Sequence, residues 1–128
     1  MAAMMYLDTH VVAWLFAGRP DLLPIPVRRH IERDDLVVSP MVVLELQYLF
    51  ETKRTTEPAH VVIRALQTAI ALRICDLPFH RVAETAVEQS WTRDPFDRII
   101  TSHAALRRAP LASKDATIRA NYTRVVWD

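Results

Sequence analysis

Short apolar runs alternate with longer amphipathic segments along the chain. The runs have the length of buried strands, whereas the longer segments repeat apolar residues at the three- and four-residue spacing of a helix. Strands are predicted at residues 4–7, 36–39, 72–77, 109–113 and 122–127. Helices are predicted at residues 10–16, 27–33, 40–53, 59–71, 80–91, 95–106 and 116–121. This alternation predicts an α/β protein with a mostly parallel sheet of about five strands and helices on both faces.

Several predicted helices begin at a recognisable N-cap. Ser39 and Asp94 each precede a proline, which is favoured in the first turn because its missing N–H would be unpaired there. Asp8 or Thr9 can cap the first helix, which the chain's only glycine, Gly18, closes.

The length predicts a single domain over residues 1–128. With 51% hydrophobic and 24% charged residues, the chain has the composition of a folded globule. The formal net charge of +1 excludes a strong global field, so nucleic acid would have to bind a local basic patch. A single glycine also excludes the glycine-rich loops that bind nucleotide phosphates.

Two further features bear on the compartment. Cys75 is the only cysteine, which excludes an intrachain disulfide and cysteine-based zinc sites and fits a reducing cytoplasm. The apolar N-terminal run 1–7 is too short for a signal peptide and lacks a basic start. No apolar run has the roughly 18 residues that a membrane span requires. We therefore expect a cytoplasmic protein without a membrane partner.

Carboxylates occur where the predicted elements would bring them to one edge of the sheet. Asp8 is the first polar residue after the first strand, and Asp115 follows the fourth. Asp94 and Asp97 open a helix that we expect at the same edge. Glu45 interrupts an apolar helical run, where a buried carboxylate needs a partner or a cation. Because ligands bind at the carboxyl edge of such sheets, these acids predict a binding site.

Each acid has a simpler explanation when it is taken alone. Asp8, Asp94 and Asp115 stand at expected N-caps, and the helix dipole favours Asp97 in a first turn. Glu45 would face solvent if the helix had a different phase. Their convergence favours a cation, because like charges at close range either take up protons or bind one. Oxygen donors without clustered histidine or cysteine suit Mg²⁺ or Mn²⁺.

The five histidines give a weaker signal. They are His10, His30, His60, His80 and His103, and none has metal-ligand spacing to another. His10 alone stands beside a candidate acid, from where it could contact a substrate phosphate.

Four blocks of sequence together resemble the PIN-domain ribonucleases. The blocks are Asp8-Thr9-His10-Val11-Val12-Ala13-Trp14, then Ser39-Pro40 with Glu45, then Arg93-Asp94-Pro95-Phe96-Asp97-Arg98, then Ser113-Lys114-Asp115. They extend over essentially the whole chain in the family's order, and they look most like the VapC toxins of bacterial toxin–antitoxin pairs. The resemblance implies a three-layer α/β/α PIN-like domain with an acidic pocket for Mg²⁺ or Mn²⁺.

The resemblance also implies roles for particular residues. The implied catalytic and metal-binding acids are Asp8, Glu45, Asp97 and Asp115. The implied supporting residues are Asp94, Ser113 and Thr9. Arg93, Lys114 and Arg98 are the basic residues that we expect to bind substrate, and Arg19, Arg28 and Arg29 are further candidates for backbone contacts.

The family further implies an activity and partners. The activity is endonucleolytic cleavage of RNA, at a tRNA or ribosomal RNA site, with water attacking in line and the 3′-oxygen leaving. The implied partners are a cognate VapB-type antitoxin, whose C-terminal segment would cross the active-site groove, and a second copy of the chain in a homodimer. The apolar helices at residues 41–50 and 61–72 are candidate surfaces for these contacts.

Two other hypotheses remain open from the sequence. A signalling receiver domain also combines an acid pocket, Mg²⁺ and this alternation. A receiver has an acid pair after its first strand, where this chain has only Asp8, and a phospho-acceptor after its third, which here ends Asp76-Leu77-Pro78. A catalytically inactive PIN-like RNA-binding module is the second alternative, and only an assay of metal-dependent cleavage separates it from an active nuclease.

Overall fold

Five parallel strands form one sheet in the computed structural model, which describes residues 3–128. Met1 and Ala2, the first positions of the apolar N-terminal run, lie outside the described residues. The strands are β1 Met4–Leu7, β2 Asp35–Val38, β3 Arg73–Ile74, β4 Leu111–Ala112 and β5 Val125–Val126. Their spatial order is β3-β2-β1-β4-β5, and all four pairings are parallel. The predicted three-layer α/β/α class is confirmed.

Seven α-helices and one 3₁₀ turn connect the strands within residues 3–128. They are α1 Thr9–Phe16, the 3₁₀ turn Pro20–Leu22, α2 Ile25–Arg33, α3 Pro40–Glu51, α4 Ala59–Ile70, α5 Phe79–Val87, α6 Pro95–Leu106 and α7 Ala116–Asn121. The predicted caps are present. Ser39 Oγ accepts the Met41 N–H at 3.0 Å, and Asp94 Oδ1 accepts the Asp97 N–H at 3.1 Å. Ser39 and Asp94, each directly before a proline, are thus the N-caps of α3 and α6.

Some predicted boundaries are wrong, mostly at strand ends. The runs 72–77, 109–113 and 122–127 pair over only two residues each. For the first and last runs the reason is that β3 and β5 are edge strands with a single neighbour, whereas β4 is equally short between two neighbours. The predicted helix 80–91 ends at Val87, where its last carbonyls are bonded to Arg98 instead of continuing the helix. Helix α2 begins two residues earlier than predicted, because Pro26 is tolerated within the first turn.

Strand β1 lies at the centre of the sheet and of the core. Its residues Met5, Tyr6 and Leu7 are fully buried, which explains why the strand is continuously apolar rather than alternating. Burying each such side chain stabilises the fold by roughly 1.5–3 kcal/mol. The residue that follows, Asp8, is therefore attached to a well-packed strand.

Strands are added to the sheet on both sides of β1. One half continues to β2 and β3, and the other half supplies β4 and β5. Ligands of open α/β sheets bind at the carboxyl ends of the strands where the order reverses, which here is between β1 and β4. Across the described part of the chain, no helix has the length and apolar character needed to cross a membrane.

Candidate active site

A buried carboxylate and a buried hydroxyl meet at the carboxyl ends of β1 and β4. Ser113 Oγ donates to Asp8 Oδ2 at 2.6 Å, and the Thr9 N–H donates to Asp8 Oδ1 at 2.8 Å. Asp8 is 4% exposed and Ser113 is fully buried. Both carboxylate oxygens of Asp8 are therefore held in place by hydrogen bonds.

Ser113 also positions a second acid. The Asp115 N–H donates to Ser113 Oγ at 3.1 Å, and Asp115 Oδ1 accepts the Ile118 N–H at 2.9 Å as the N-cap of α7. One hydroxyl thus links the loop after β4 to the carboxylate after β1. The structure confirms that Asp115 caps α7, which orients its side chain, and its role in the site stays a prediction.

Glu45 faces the site from α3. The Thr9 hydroxyl donates to Glu45 Oε1, so the helix phase turns this carboxylate towards β1 rather than towards solvent. Burial raises the pKa of Glu45, and neighbouring carboxylates add to the rise. Those neighbours are Asp8, Asp94 and Asp115. Thr9, which the sequence placed among the supporting residues, is the direct partner of Glu45.

Asp97 is the most perturbed acid of the group. Burial, and to a smaller extent four neighbouring carboxylates, raise the pKa of its carboxyl to about 7. They are, from the largest effect, Asp94, Asp115, Asp8 and Glu45. Since every charged neighbour behind this shift is an acid, the group carries negative charge that a cation would stabilise.

The donor set fits a hard divalent cation without forming a complete cage. Within residues 3–128, no three histidine, cysteine or carboxylate side chains are arranged to enclose a metal ion. Mg²⁺ commonly keeps several waters and takes only one or two protein carboxylates, so an all-protein cage is not required. Burial and neighbouring carboxylates raise the pKa of both Glu45 and Asp97, and a bound divalent cation would neutralise this concentration of negative charge.

The comparisons with known proteins identify the family. The family model described as "PIN domain" matches residues 5–122. The chain belongs to the PIN-domain family. This is a family of nucleases, which fits an acidic site at the switch point of a parallel sheet. No curated protein sequence matches the chain.

Solved structures show the same PIN fold. VapBC2 from Rickettsia felis, bound to a promoter DNA fragment, matches with a TM-score of 0.70 at 19% identity, covering 98% of this chain and 99% of that one. A toxin–antitoxin complex from Klebsiella pneumoniae has a TM-score of 0.67 at 21% identity and covers 95% of each chain. VapBC-1 from nontypeable Haemophilus influenzae has a TM-score of 0.62 at 19% identity, with coverage of 98% and 96%.

The PIN domain does not have the topology of a receiver. The receiver order is 2-1-3-4-5, whereas β1 here lies between β2 and β4. The side chain of Asp76, the phospho-acceptor of that hypothesis, is 96% exposed and lies 3.6 Å from the Arg107 guanidinium. The sheet order therefore argues against the receiver alternative.

The three basic residues predicted to bind substrate differ in their surroundings. Arg93 and Lys114 are exposed beside acids of the PIN-domain site. The Arg98 guanidinium is hydrogen-bonded to backbone carbonyls of the protein. It donates to the Ala86 carbonyl at 3.0 and 3.1 Å and to the Val87 carbonyl at 3.1 Å. It also donates to the Thr92 carbonyl. These contacts give Arg98 a structural role, and its contact with substrate stays a prediction.

Replacing Arg98 by methionine is expected to lower the free energy of unfolding by about 2–3 kcal/mol, since hydrogen bonds from a charged donor to several carbonyls are lost. Urea unfolding followed by circular dichroism measures this. Arg93→Met is the matched control, because Arg93 is exposed and bonds the Ser90 carbonyl from the surface. Equal destabilisation by the two variants would contradict the structural role of Arg98.

His10 contributes to the site in a way that the sequence did not predict. Its Nε2 accepts the Lys114 N–H at 2.8 Å, and its Nδ1 lies 3.7 Å from Asp8 Oδ2. Burial lowers the pKa of His10, which favours the neutral ring with the proton on Nδ1. Because Nε2 accepts this backbone hydrogen bond, His10 stabilises the loop after β4 and does not present that nitrogen to a phosphate.

Proposed function

We propose that this PIN domain is a divalent-metal-dependent endoribonuclease and the toxin of a type II toxin–antitoxin pair of the VapBC kind. The observation that supports the proposal most directly is the convergence of Asp8, Glu45, Asp97 and Asp115 at one edge of the sheet, where the other three acids raise the pKa of Asp97. The whole of residues 1–128 would form this one catalytic domain and would act on RNA in the cytoplasm.

The proposed reaction is hydrolysis of an RNA phosphodiester. Water adds to phosphorus, the bond from phosphorus to the 3′-oxygen breaks, and the products carry a 5′-phosphate and a 3′-hydroxyl. Bound Mg²⁺ or Mn²⁺, held by the four acids, would neutralise them and polarise the phosphodiester. Ser113 orients Asp8, Thr9 orients Glu45, and a site carboxylate accepts the proton that the attacking water loses.

Cleavage of RNA by the purified protein is expected to require a divalent cation. Total bacterial RNA is incubated with the protein in EDTA, and then with excess Mg²⁺ or Mn²⁺. We expect cuts only with the metal, and their downstream fragments should ligate to an adaptor that requires a 5′-phosphate. Fragments ending in a 2′,3′-cyclic phosphate, or cutting that persists in EDTA, would contradict the proposed chemistry. Binding of RNA without cutting would favour the inactive PIN-like module.

The toxin assignment is proposed from the chain's likeness to toxin–antitoxin complexes. A groove of about 320 Å³ beside α1 has apolar side chains such as Trp14, Phe16 and Leu46 on one side and the polar residues 54–57 on the other, and it suits an amphipathic segment of a VapB-type antitoxin. Expressing the chain in bacteria should stop growth, and co-expressing the small neighbouring reading frame should restore it. Unimpaired growth with confirmed nuclease activity would contradict the toxin role alone.

A homodimer is proposed through the exposed face of α3. Leu44, Tyr48 and Phe79 are 58%, 46% and 57% exposed, and an apolar groove of about 370 Å³ lies beside Leu44 and Phe79. Contiguous exposed apolar surface of this kind marks interaction sites. Helix α4 is the poorer candidate, because Val62, Ile63 and Leu66 bury its apolar face in the core. Light scattering of the protein and of Leu44→Glu would test the dimer.

A further inference from the structure

Three aromatic rings border the acidic site, and the catalytic proposal does not use them. The rings of His10, Trp14 and Trp127 pack against one another. The ring centroids of His10 and Trp14 are 5.2 Å apart, and the Trp127 centroid is 6.1 Å from each of them. All three side chains are half-buried, so each keeps part of its surface accessible. Two turns of α1 and the C-terminal end of the chain thus form an aromatic surface next to Asp8.

A cation lies on this aromatic surface. The Lys114 ammonium is 5.5 Å from the centroid of the Trp14 ring, and the Lys114 backbone is tied to His10. Lys114 stands between Ser113 and Asp115 in the chain, so its charge lies at the border between the acids and the rings. We name His10, Trp14, Lys114 and Trp127 the aromatic–cationic cluster.

The cluster has the chemistry of a nucleotide subsite. Single-stranded nucleic acids are bound by aromatic faces on which bases stack, next to positive charge that follows the backbone. Such stacking needs an unpaired base, because a base inside a duplex has no free face. In this chain Lys114 directly precedes Asp115, and the rings reach the acids through His10, whose Nδ1 lies 3.7 Å from Asp8 Oδ2.

We propose that the aromatic–cationic cluster binds one unpaired RNA base beside the phosphate that is cleaved. The base would replace the Lys114 ammonium on the face of Trp14, and the released ammonium would contact the phosphate of the same nucleotide. The inference rests on the proposed nuclease function, to which it adds a subsite that holds one base by stacking. It also gives a role to His10 and Trp14, the part of the first sequence block that the acid chemistry leaves unused.

Tryptophan fluorescence tests the stacking without turnover. The Trp91→Phe variant removes the third tryptophan and leaves Trp14 and Trp127 as the emitters. It is titrated in EDTA with hexauridylate and with a hexamer of the same ribose-phosphate backbone that lacks bases. We expect saturable quenching by hexauridylate and little by the abasic hexamer, although both carry the same charge. Equal responses to the two, or no response to either, would overturn the proposal.

Matched variants separate stacking from a role in packing alone. Trp14→Leu should weaken binding of hexauridylate about 5- to 150-fold, the range measured for losing one stacked base, while Trp14→Phe should retain most of it. Thermal unfolding shows whether the variants are folded. If Trp14→Leu does not fold, the comparison of hexauridylate with the abasic hexamer, made on the protein that retains Trp14 and Trp127, still tests the subsite. Unchanged affinity in folded Trp14→Leu would overturn the subsite.

The experiments distinguish a failure of the proposed base subsite from a failure of the proposed nuclease function. Base-dependent quenching without any metal-dependent cleavage would support the subsite and contradict the nuclease. Metal-dependent cleavage by a protein that does not distinguish hexauridylate from the abasic hexamer would support the nuclease and overturn the subsite.

Discussion

Asp8→Asn is expected to reduce metal-dependent RNA cleavage by at least about 100-fold, the scale of losing one group that stabilises charge in a transition state. The carboxylate lies at the switch point between β1 and β4, and its negative charge is what asparagine removes. Initial rates on a defined RNA at saturating Mg²⁺ measure the effect.

The fold should survive this substitution. Asparagine is as good an N-cap as aspartate, so its side-chain oxygen can still accept the Thr9 N–H, and its amide can donate to Ser113 Oγ. An unchanged circular dichroism spectrum is therefore expected together with the lost activity. Asp76→Asn is the matched control, because Asp76 is 96% exposed and lies outside the acidic site. Turnover by Asp8→Asn within a few-fold of wild type would contradict the assignment of Asp8.

Asp97→Asn is expected to stabilise the metal-free protein at pH 8, raising Tm by about 5 °C, which corresponds to slightly more than about 1 kcal/mol for a chain of this size. The Asp97 pKa is about 7 in the folded protein against an ordinary value of 3.8. Between these two values the folded state binds more protons than the unfolded state. Stability therefore falls as the pH rises through this window, and the loss is complete above about pH 7.

Thermal unfolding between pH 5 and 8, with and without Mg²⁺ or Mn²⁺, tests this prediction. In EDTA, wild-type Tm should fall with rising pH more steeply than Tm of Asp97→Asn. Added metal should raise wild-type Tm at pH 8 more than at pH 5, because the ion binds the ionised acids and competes with protons. Asp76→Asn should keep the wild-type slope. Parallel pH profiles for wild type and Asp97→Asn would show that Asp97 is not the perturbed group.

The elements that the sequence predicted well are those whose signals are local. Ser39 before Pro40 and Asp94 before Pro95 indicate helix starts within a few residues, and α3 and α6 begin there. Strand β1 was predicted with its observed bounds, because a strand buried on both faces is apolar throughout. The edge strands β3 and β5 were predicted too long, since pairing with a single neighbour, and not composition, determines where they end.

The sequence alone also indicated which acids could form the site, through their positions at strand ends and helix starts and, for Glu45, within an apolar helical run. Only the tertiary structure decided how they are connected: Ser113 reaches Asp8 across 105 positions of chain, and Thr9 reaches Glu45 across 36. The same holds for Arg98, whose guanidinium is taken up by carbonyls at the end of α5, and for His10, which is tied to the Lys114 backbone. The physical reason is that caps and strands depend on neighbours in sequence, whereas a side chain's partner depends on which strands the sheet order places side by side.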